Sequence, residues 1–297
     1  MIKYKRVFTG SLCNNNCLYC EFVDQRRENR FLQEIKSDLR NQEGYDSLEI
    51  AGGEASTRTD FIDIINFARQ QNYIRIKLKT NGRAFSDWEL ARTAIEYGVH
   101  LFEVKIYGYS PAIHDLITRE PGSLSETIQG IANLKSLQIP GEQSRQPFVA
   151  IKLPLCKENS EYIEDTVRFL IPLGIDRITL SYSDCDLSME DVIPHVSNAI
   201  ETAIFSRIWI QTERIPLCLM SGYEHHVSEN FLDGTDYELK KGKNCPKCVY
   251  SASCEGIAGD YLEKKGSKEF QAVTKSLYAA DLNELRSTKA GGTNETK

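Results

Sequence analysis

The sequence predicts an α/β fold: a partial (β/α)6 TIM-like barrel followed by a small cysteine-rich C-terminal domain. Strands and helices alternate regularly over residues 4–183. Within those strands apolar and charged residues alternate in turn. Beyond about residue 205 the pattern changes to loops rich in Gly, Asp, Asn and Lys, and four of the nine cysteines fall there. The 297 residues, 41% hydrophobic and 26% charged, suffice for an α/β domain of about 200 residues plus an appendage.

The strands read in order are 4-YKRVFTGS-11, 46-DSLEIAG-52, 73-YIRIKLKT-80, 99-VHLFEVKIYG-108, 147-PFVAIKLPL-155 and 176-DRITLSY-182. Amphipathic segments such as 60-DFIDIINFARQQ-71 and 88-WELARTAIEYG-98 separate them. This spacing argues for βαβ units and a parallel sheet, and six units point to an open barrel. The expected organisation is a barrel over residues 1–204, a cysteine-rich domain over 205–286 and a disordered tail over 287–297, with helices at 259–266 and 268–286.

A parallel strand covered on both faces reads as a nearly continuous apolar run. Here Ile74, Ile76 and Leu78 alternate with Arg75, Lys77 and Lys79, and Phe102, Val104 and Ile106 alternate with Glu103, Lys105 and Tyr107. Since successive side chains point to opposite faces, one face packs on helices and the other lines a polar lumen. Its charges must pair with one another or with a charged ligand, because an unpaired buried charge is costly.

A net charge of −6 disfavours a nucleic-acid partner. The basic run 240-KKGKNCPKC-248 reads first as a solvated loop. The opening MIKYKRVFTG lacks the apolar core of a signal peptide. No apolar run approaches the ~18 residues of a membrane span. A cytoplasmic location is expected, where clustered cysteines bind metals or catalyse rather than form disulfides.

The stretch 12-LCNNNCLYCEF-22 places Cys13, Cys17 and Cys20 after the first strand, at the end where such barrels build their sites. Structural zinc and ordinary iron–sulfur clusters take four protein ligands. Three thiolates on a [4Fe–4S] cluster would leave one iron open to a ligand that is not protein. The spacing Cys13-x3-Cys17-x2-Cys20, with Tyr19 before the last cysteine, resembles the loop of the radical S-adenosylmethionine (SAM) enzymes. The resemblance covers roughly residues 5–185. It implies a [4Fe–4S] cluster on the three cysteines, with SAM chelating the fourth iron, and Tyr19 beside that site. The turn 51-AGGEAS-56 resembles the family's GGE motif and makes Gly52, Gly53 and Glu54 the expected partners of the SAM ammonium. Two glycines allow close backbone approach and a carboxylate suits a cation. The end of the third strand, 79-KTNG-82, offers Thr80 and Asn81. On the fourth strand, where relatives carry Ser and Asp, this sequence has Lys105 and Tyr107; Lys105 is a candidate partner of the SAM carboxylate.

Cys245-x2-Cys248-x5-Cys254 resembles the C-terminal motif of relatives with auxiliary clusters (the SPASM and shorter twitch types). Ala258 stands where the fuller motif has a further cysteine, which leaves Cys218, Cys245, Cys248 and Cys254 for one closed auxiliary [4Fe–4S] cluster. Zinc suits four cysteines as well. His225 and His226 lie nearby and read as solvent-facing. Cys156 and Cys185, after the fifth and sixth strands, are packing cysteines or thiols that contact the substrate.

The implied activity is reductive cleavage of SAM to a 5′-deoxyadenosyl radical, which abstracts a hydrogen atom from a peptide or protein side chain or from a small metabolite. An electron donor such as flavodoxin or ferredoxin is implied with it. Peptide maturases often carry a leader-binding domain ahead of the barrel, and the twelve residues before Cys13 leave none expected here. A molybdopterin-type cyclase reading is disfavoured by that type's longer final cysteine spacing. The rival from another class is a zinc-binding interaction or nucleic-acid module.

Overall fold

In β3 (Arg75–Thr80) Ile76 and Leu78 are fully buried while Arg75, Lys77 and Lys79 are half-buried, which is the alternation the sequence sets up. The computed structural model describes residues 3–20, 22, 28–42, 44–141, 145–183, 186–228 and 239–276. Strands β1 (Lys5–Phe8), β2 (Ser47–Ala51), β3, β4 (Val99–Lys105), β5 (Phe148–Leu155), β6 (Arg177–Tyr182) and β7 (Trp209–Glu213) form one parallel sheet in the order β1 to β7. All six expected strands are present. The seventh, beyond residue 204, pairs with β6 from Arg177↔Trp209 to Ser181↔Glu213, so the sheet runs past the expected boundary. Ile74 precedes β3 and is exposed.

Helices α1 (Leu32–Arg40), α2 (Phe61–Gln70), α3 (Trp88–Glu96), α4 (Pro111–Thr118), α5 (Ser123–Ser136), α6 (Ile163–Leu170) and α7 (Met189–Phe205) join the strands. In α2, Phe61, Ile64, Ile65 and Ala68 are buried, the i, i+3, i+4, i+7 stripe that one helix face presents to a sheet. Asp87 caps α3, its carboxylate accepting from the Glu89 and Leu90 amides at 2.9 and 3.4 Å, groups that have no partner inside the helix. Pro111 starts α4, where a missing N–H costs nothing.

The C-terminal region contains the antiparallel pair β8 (Leu239–Lys240) and β9 (Ile257–Ala258), then α8 (Gly259–Lys265). Tyr261 of α8 locks it to the barrel: its ring meets Tyr182 at 5.7 Å and its hydroxyl accepts from the Met189 amide at 3.0 Å. Tyr250, Ile257, Tyr261 and Phe270 thereby join the same apolar core as the barrel.

The helix expected over 268–286 is corrected by the described part, 268–276, which is not helical. Three anchors hold that segment in place. Phe270 is buried against Tyr261 at 5.7 Å, the Val273 carbonyl accepts from the Val249 amide at 2.8 Å, and Glu269 binds the Tyr261 hydroxyl. These tertiary contacts override a modest helix propensity. Residues 277–297, and with them the expected tail, lie outside the described residues.

Candidate active site and second cysteine pocket

The three-cysteine loop is held by its asparagines. Asn14 Oδ1 accepts from Asn81 Nδ2 at 2.6 Å, and Asn15 Oδ1 accepts from the Arg83 guanidinium at 2.6 Å. Arg83 also donates to the Asn14 carbonyl and pairs with Glu126 at 2.6 Å. On its other side the loop donates from the Asn16 and Leu18 amides to the Thr118 and Ile117 carbonyls at the end of α4. Cys13, Cys17 and Cys20 are all half-buried. Burial pushes the Cys13 thiol up to about 11, opposed by the Asn15 amide, which donates to its sulfur at 3.3 Å. Burial raises Cys17 as well, and there Lys105 and a hydrogen bond from Tyr107 act the other way. At Cys13 and Cys17, donors and a cation thus oppose the effect of burial and favour the thiolate that metal binding requires.

The Gly-Gly-Glu turn is stitched to this loop. The Gly53 and Glu54 amides donate to the Gly10 and Leu12 carbonyls, each at 2.8 Å. A Cβ on Gly53 would lie 2.2 Å from the Leu12 carbonyl oxygen, and Gly52 has φ +149° with a Cβ position 2.6 Å from the Gly10 carbonyl. Only glycine fits either place. Glu54 is 2% exposed. Its Oε1 accepts from Ser56 Oγ at 2.6 Å and Thr80 Oγ1 at 2.7 Å, and its Oε2 from the Asn81 amide at 2.5 Å. Burial raises its pKa despite these donors. Thr80 and Asn81 therefore join Glu54 and the cysteine loop into one unit.

The lumen charges pair among themselves, one of the two outcomes expected from the strand pattern. Lys77 lies 2.8 Å from Glu49 and 2.7 Å from Glu103, Lys79 lies 3.1 Å from Glu49, and Arg6 lies 2.5 Å from Glu49. Burial alone would raise Glu49, but Lys77, Lys79 and Arg6 hold it down at about 2. Lys152 is tied to Glu213 at 2.7 Å, so β7 supplies a charge partner that the six-strand reading lacked. Lys105, opposite Lys152 in the β4–β5 register, differs. It has no ion-pair partner among the described residues, and its charge acts on Cys17.

Tyr19 donates from its hydroxyl to Glu158 Oε2 at 2.7 Å. Cys156 is fully buried in a cluster with Tyr107, Ile113 and Ile117, against which Cys17 and Tyr19 pack. Burial first, then Glu158, raises its thiol well above the ordinary range. Cys185 lies outside the described residues. Sequence reasoning missed Arg83 and Glu158. Neither stands in a motif, and each reaches the cysteine loop through a partner more than 60 positions away.

Cys218, Cys245, Cys248 and Cys254 line one pocket together with Pro216, Tyr250, Ile257 and Phe270. Cys218 is pushed up to about 12 by burial and then by Cys254, Cys248 and Cys245. Four cysteines lining one pocket are the ligand type that a metal centre binds as thiolates. Among the described residues, no group of three or more His, Cys, Asp or Glu converges to hold a single metal ion. His226 is tied by Nδ1 to the Ile210 carbonyl at 2.8 Å, and His225 is exposed. Tyr250 donates to buried Glu224 at 2.7 Å, which anchors the pocket wall.

A seven-stranded parallel sheet with a glycine-braced three-cysteine loop at its strand ends defines a class of enzyme. The family model of the radical SAM superfamily matches residues 7–170, and the chain belongs to that superfamily, whose members use a [4Fe–4S] cluster and SAM. Similar curated proteins include the AdoMet-dependent heme synthase of Methanosarcina barkeri, 26% identical over 172 residues, covering 54% of this chain and 45% of that protein. The GTP 3′,8-cyclase of Limosilactobacillus fermentum is 28% identical over 142 residues, covering 45% of this chain and 42% of that one. The chain thus spans somewhat under half the length of these two relatives. Among solved structures, Streptococcus suis SuiB bound to S-adenosylmethionine matches with a TM-score of 0.54 at 14% identity, covering 92% of this chain and 77% of that one. SuiB bound to its precursor peptide SuiA matches at 0.56 and 15% identity, covering 75% and 51%. Among the described residues no helix is long and apolar enough to cross a membrane.

Proposed function

We propose that this chain binds SAM at Cys13, Cys17 and Cys20 and uses it to abstract a hydrogen atom from a peptide or protein side chain. The observation that carries this is the single hydrogen-bonded unit formed by the cysteine loop, the Gly52–Gly53–Glu54 turn and the Thr80–Asn81 strand end. In this reading the three thiolates hold a [4Fe–4S] cluster. When bound, it supplies the electron that cleaves SAM to methionine and a 5′-deoxyadenosyl radical.

The protein's own residues supply position and charge. The Gly52–Gly53 backbone and Glu54 receive the SAM ammonium, with Thr80 and Asn81 fixing the Glu54 carboxylate. Lys105, which has no ion-pair partner among the described residues, takes the SAM carboxylate as a charge-assisted contact. Tyr19, oriented by Glu158, packs beside the cofactor. The paired charges below fill the lumen, so the substrate enters from the strand ends. Cys156, fully buried, acts through packing around Cys17 and Tyr107.

Four thiols in one pocket support an auxiliary [4Fe–4S] cluster in the C-terminal domain, which we begin after β7. A peptide substrate draws support from SuiB, whose likeness extends over 92% of the chain, whereas the two curated relatives match about half of it. Flavodoxin or ferredoxin would supply electrons. The test is anaerobic reconstitution followed by reaction with SAM and dithionite. Brown protein that releases 5′-deoxyadenosine is expected, with release rising on addition of candidate peptides. Colourless protein carrying stoichiometric zinc would sink the proposal.

A further inference from the structure

The run 240–247 holds four lysines and no carboxylate in a chain of net charge −6, and the fold gives it a definite location. It enters through β8, where Lys240 pairs with Glu263 at 3.6 Å. Lys241 lines the four-cysteine pocket and donates to the Ser251 and Cys254 carbonyls, which ties the run to the pocket rim. Lys243 and Lys247, which flank Cys245, are exposed and have no ion-pair partner among the described residues. Pro246 between them is the second residue of a short turn, Cys245–Lys247, closed by the Cys248 amide on the Cys245 carbonyl at 3.0 Å. Two exposed cations, without ion-pair partners among the described residues, therefore lie on or beside a braced turn whose first residue is a pocket cysteine.

We propose that this lysine collar is the docking surface for an acidic one-electron carrier protein that exchanges electrons with the four-cysteine site. The proposal rests on the reading of that pocket as an iron–sulfur site. Lysine suits such a partner: it is a strongly hydrated point charge, and complementary charge raises encounter rates without a large apolar interface. The composition disfavours single-stranded nucleic acid, which binds through stacking aromatics and arginine as well as charge. Residues 239–276 contain no arginine and contribute none of the large exposed hydrophobic side chains. The transfer is balanced, since one electron moves between site and carrier, each changing oxidation state by one, and no bond forms or breaks.

The experiment uses the full chain, reconstituted anaerobically, with a flavodoxin of net negative charge as the probe. Association and electron exchange are followed by stopped flow across a series of salt concentrations. The K243E/K247E double variant is expected to slow second-order exchange by at least about tenfold and to flatten its salt dependence. Iron content and dithionite-driven 5′-deoxyadenosine release should stay unchanged. Lys157→Glu, an exposed site near the three-cysteine loop, should leave exchange intact. The proposal is overturned if the double variant exchanges at the wild-type rate with its full iron complement, or if Lys157→Glu slows exchange instead. Binding of a labelled oligonucleotide in place of flavodoxin also overturns it. Iron for only one cluster, with zinc in the pocket, would instead defeat the underlying reading, and the iron assay tells these failures apart.

Discussion

The two cysteine sites are built on opposite plans. The N-terminal one offers three sulfurs on a loop of backbone and amide hydrogen bonds, beside Lys105, a cation with no ion-pair partner among the described residues. The C-terminal one offers four sulfurs in a pocket lined also by Pro216, Tyr250 and Phe270. The first has polar capacity to spare, and the second, on the proposed reading, would supply all of a cluster's ligands itself. A site that performs chemistry must leave a position open, while a site that stores or passes electrons works best saturated and dry.

The sharpest way to break this contrast structurally is at Gly53. A Cβ there meets the Leu12 carbonyl at 2.2 Å, so Gly53→Ala must push the turn away from the cysteine loop. Overpacking of this kind costs about 1–3 kcal/mol. Urea denaturation should shift accordingly, and iron at the first site should fall while the second keeps its own. Equal iron in variant and wild type would show that the two segments are not one unit.

A more local effect is expected at Lys105. Removing one charge-assisted contact costs about 1.5–3 kcal/mol, so Lys105→Met should weaken SAM binding roughly 10- to 100-fold. Decarboxylated SAM should bind both proteins alike. If the variant loses affinity for both compounds equally, the lysine serves the fold or the cluster rather than the carboxylate.

The mildest expectation concerns the lumen network. Glu49 is held at about 2 in the folded state against an ordinary 4.5, and Glu103 is lowered as well. A carboxylate with a depressed pKa contributes stability that is complete above its unfolded pKa and fades as pH falls toward the folded one. Thermal midpoints should therefore be insensitive to these groups above about pH 4.5 and fall between 4.5 and 2. Glu49→Gln should flatten that fall, and an unchanged acid limb would remove Glu49 as its cause.

The barrel was legible because its strands write their burial into a period of two: Ile76, Leu78, Phe102 and Val104 face the helices, and Lys77, Lys79 and Glu103 face inward. The cysteine loop was legible through its spacing. Other features were hidden because they depend on distant partners. Strand β7 lies beyond the change of pattern at about residue 205, and Glu213 matters only once it meets Lys152 at 2.7 Å. The three asparagines looked like ordinary loop residues, yet Asn14 and Asn15 join the loop to Asn81 and Arg83. Residues 268–276 resembled a helix because their composition allows one. The anchors that forbid it, Phe270 on Tyr261 and Val273 on Val249, are tertiary.

The most direct test compares Cys17→Ala with Cys248→Ala after identical anaerobic reconstitution, measuring iron per chain and 5′-deoxyadenosine released with dithionite. With two four-iron clusters the wild type should hold about eight irons and each variant about four. Cys248→Ala should still cleave SAM, whereas Cys17→Ala should release only background 5′-deoxyadenosine. Cleavage surviving in Cys17→Ala and lost in Cys248→Ala would contradict the division of labour between the open and the closed site.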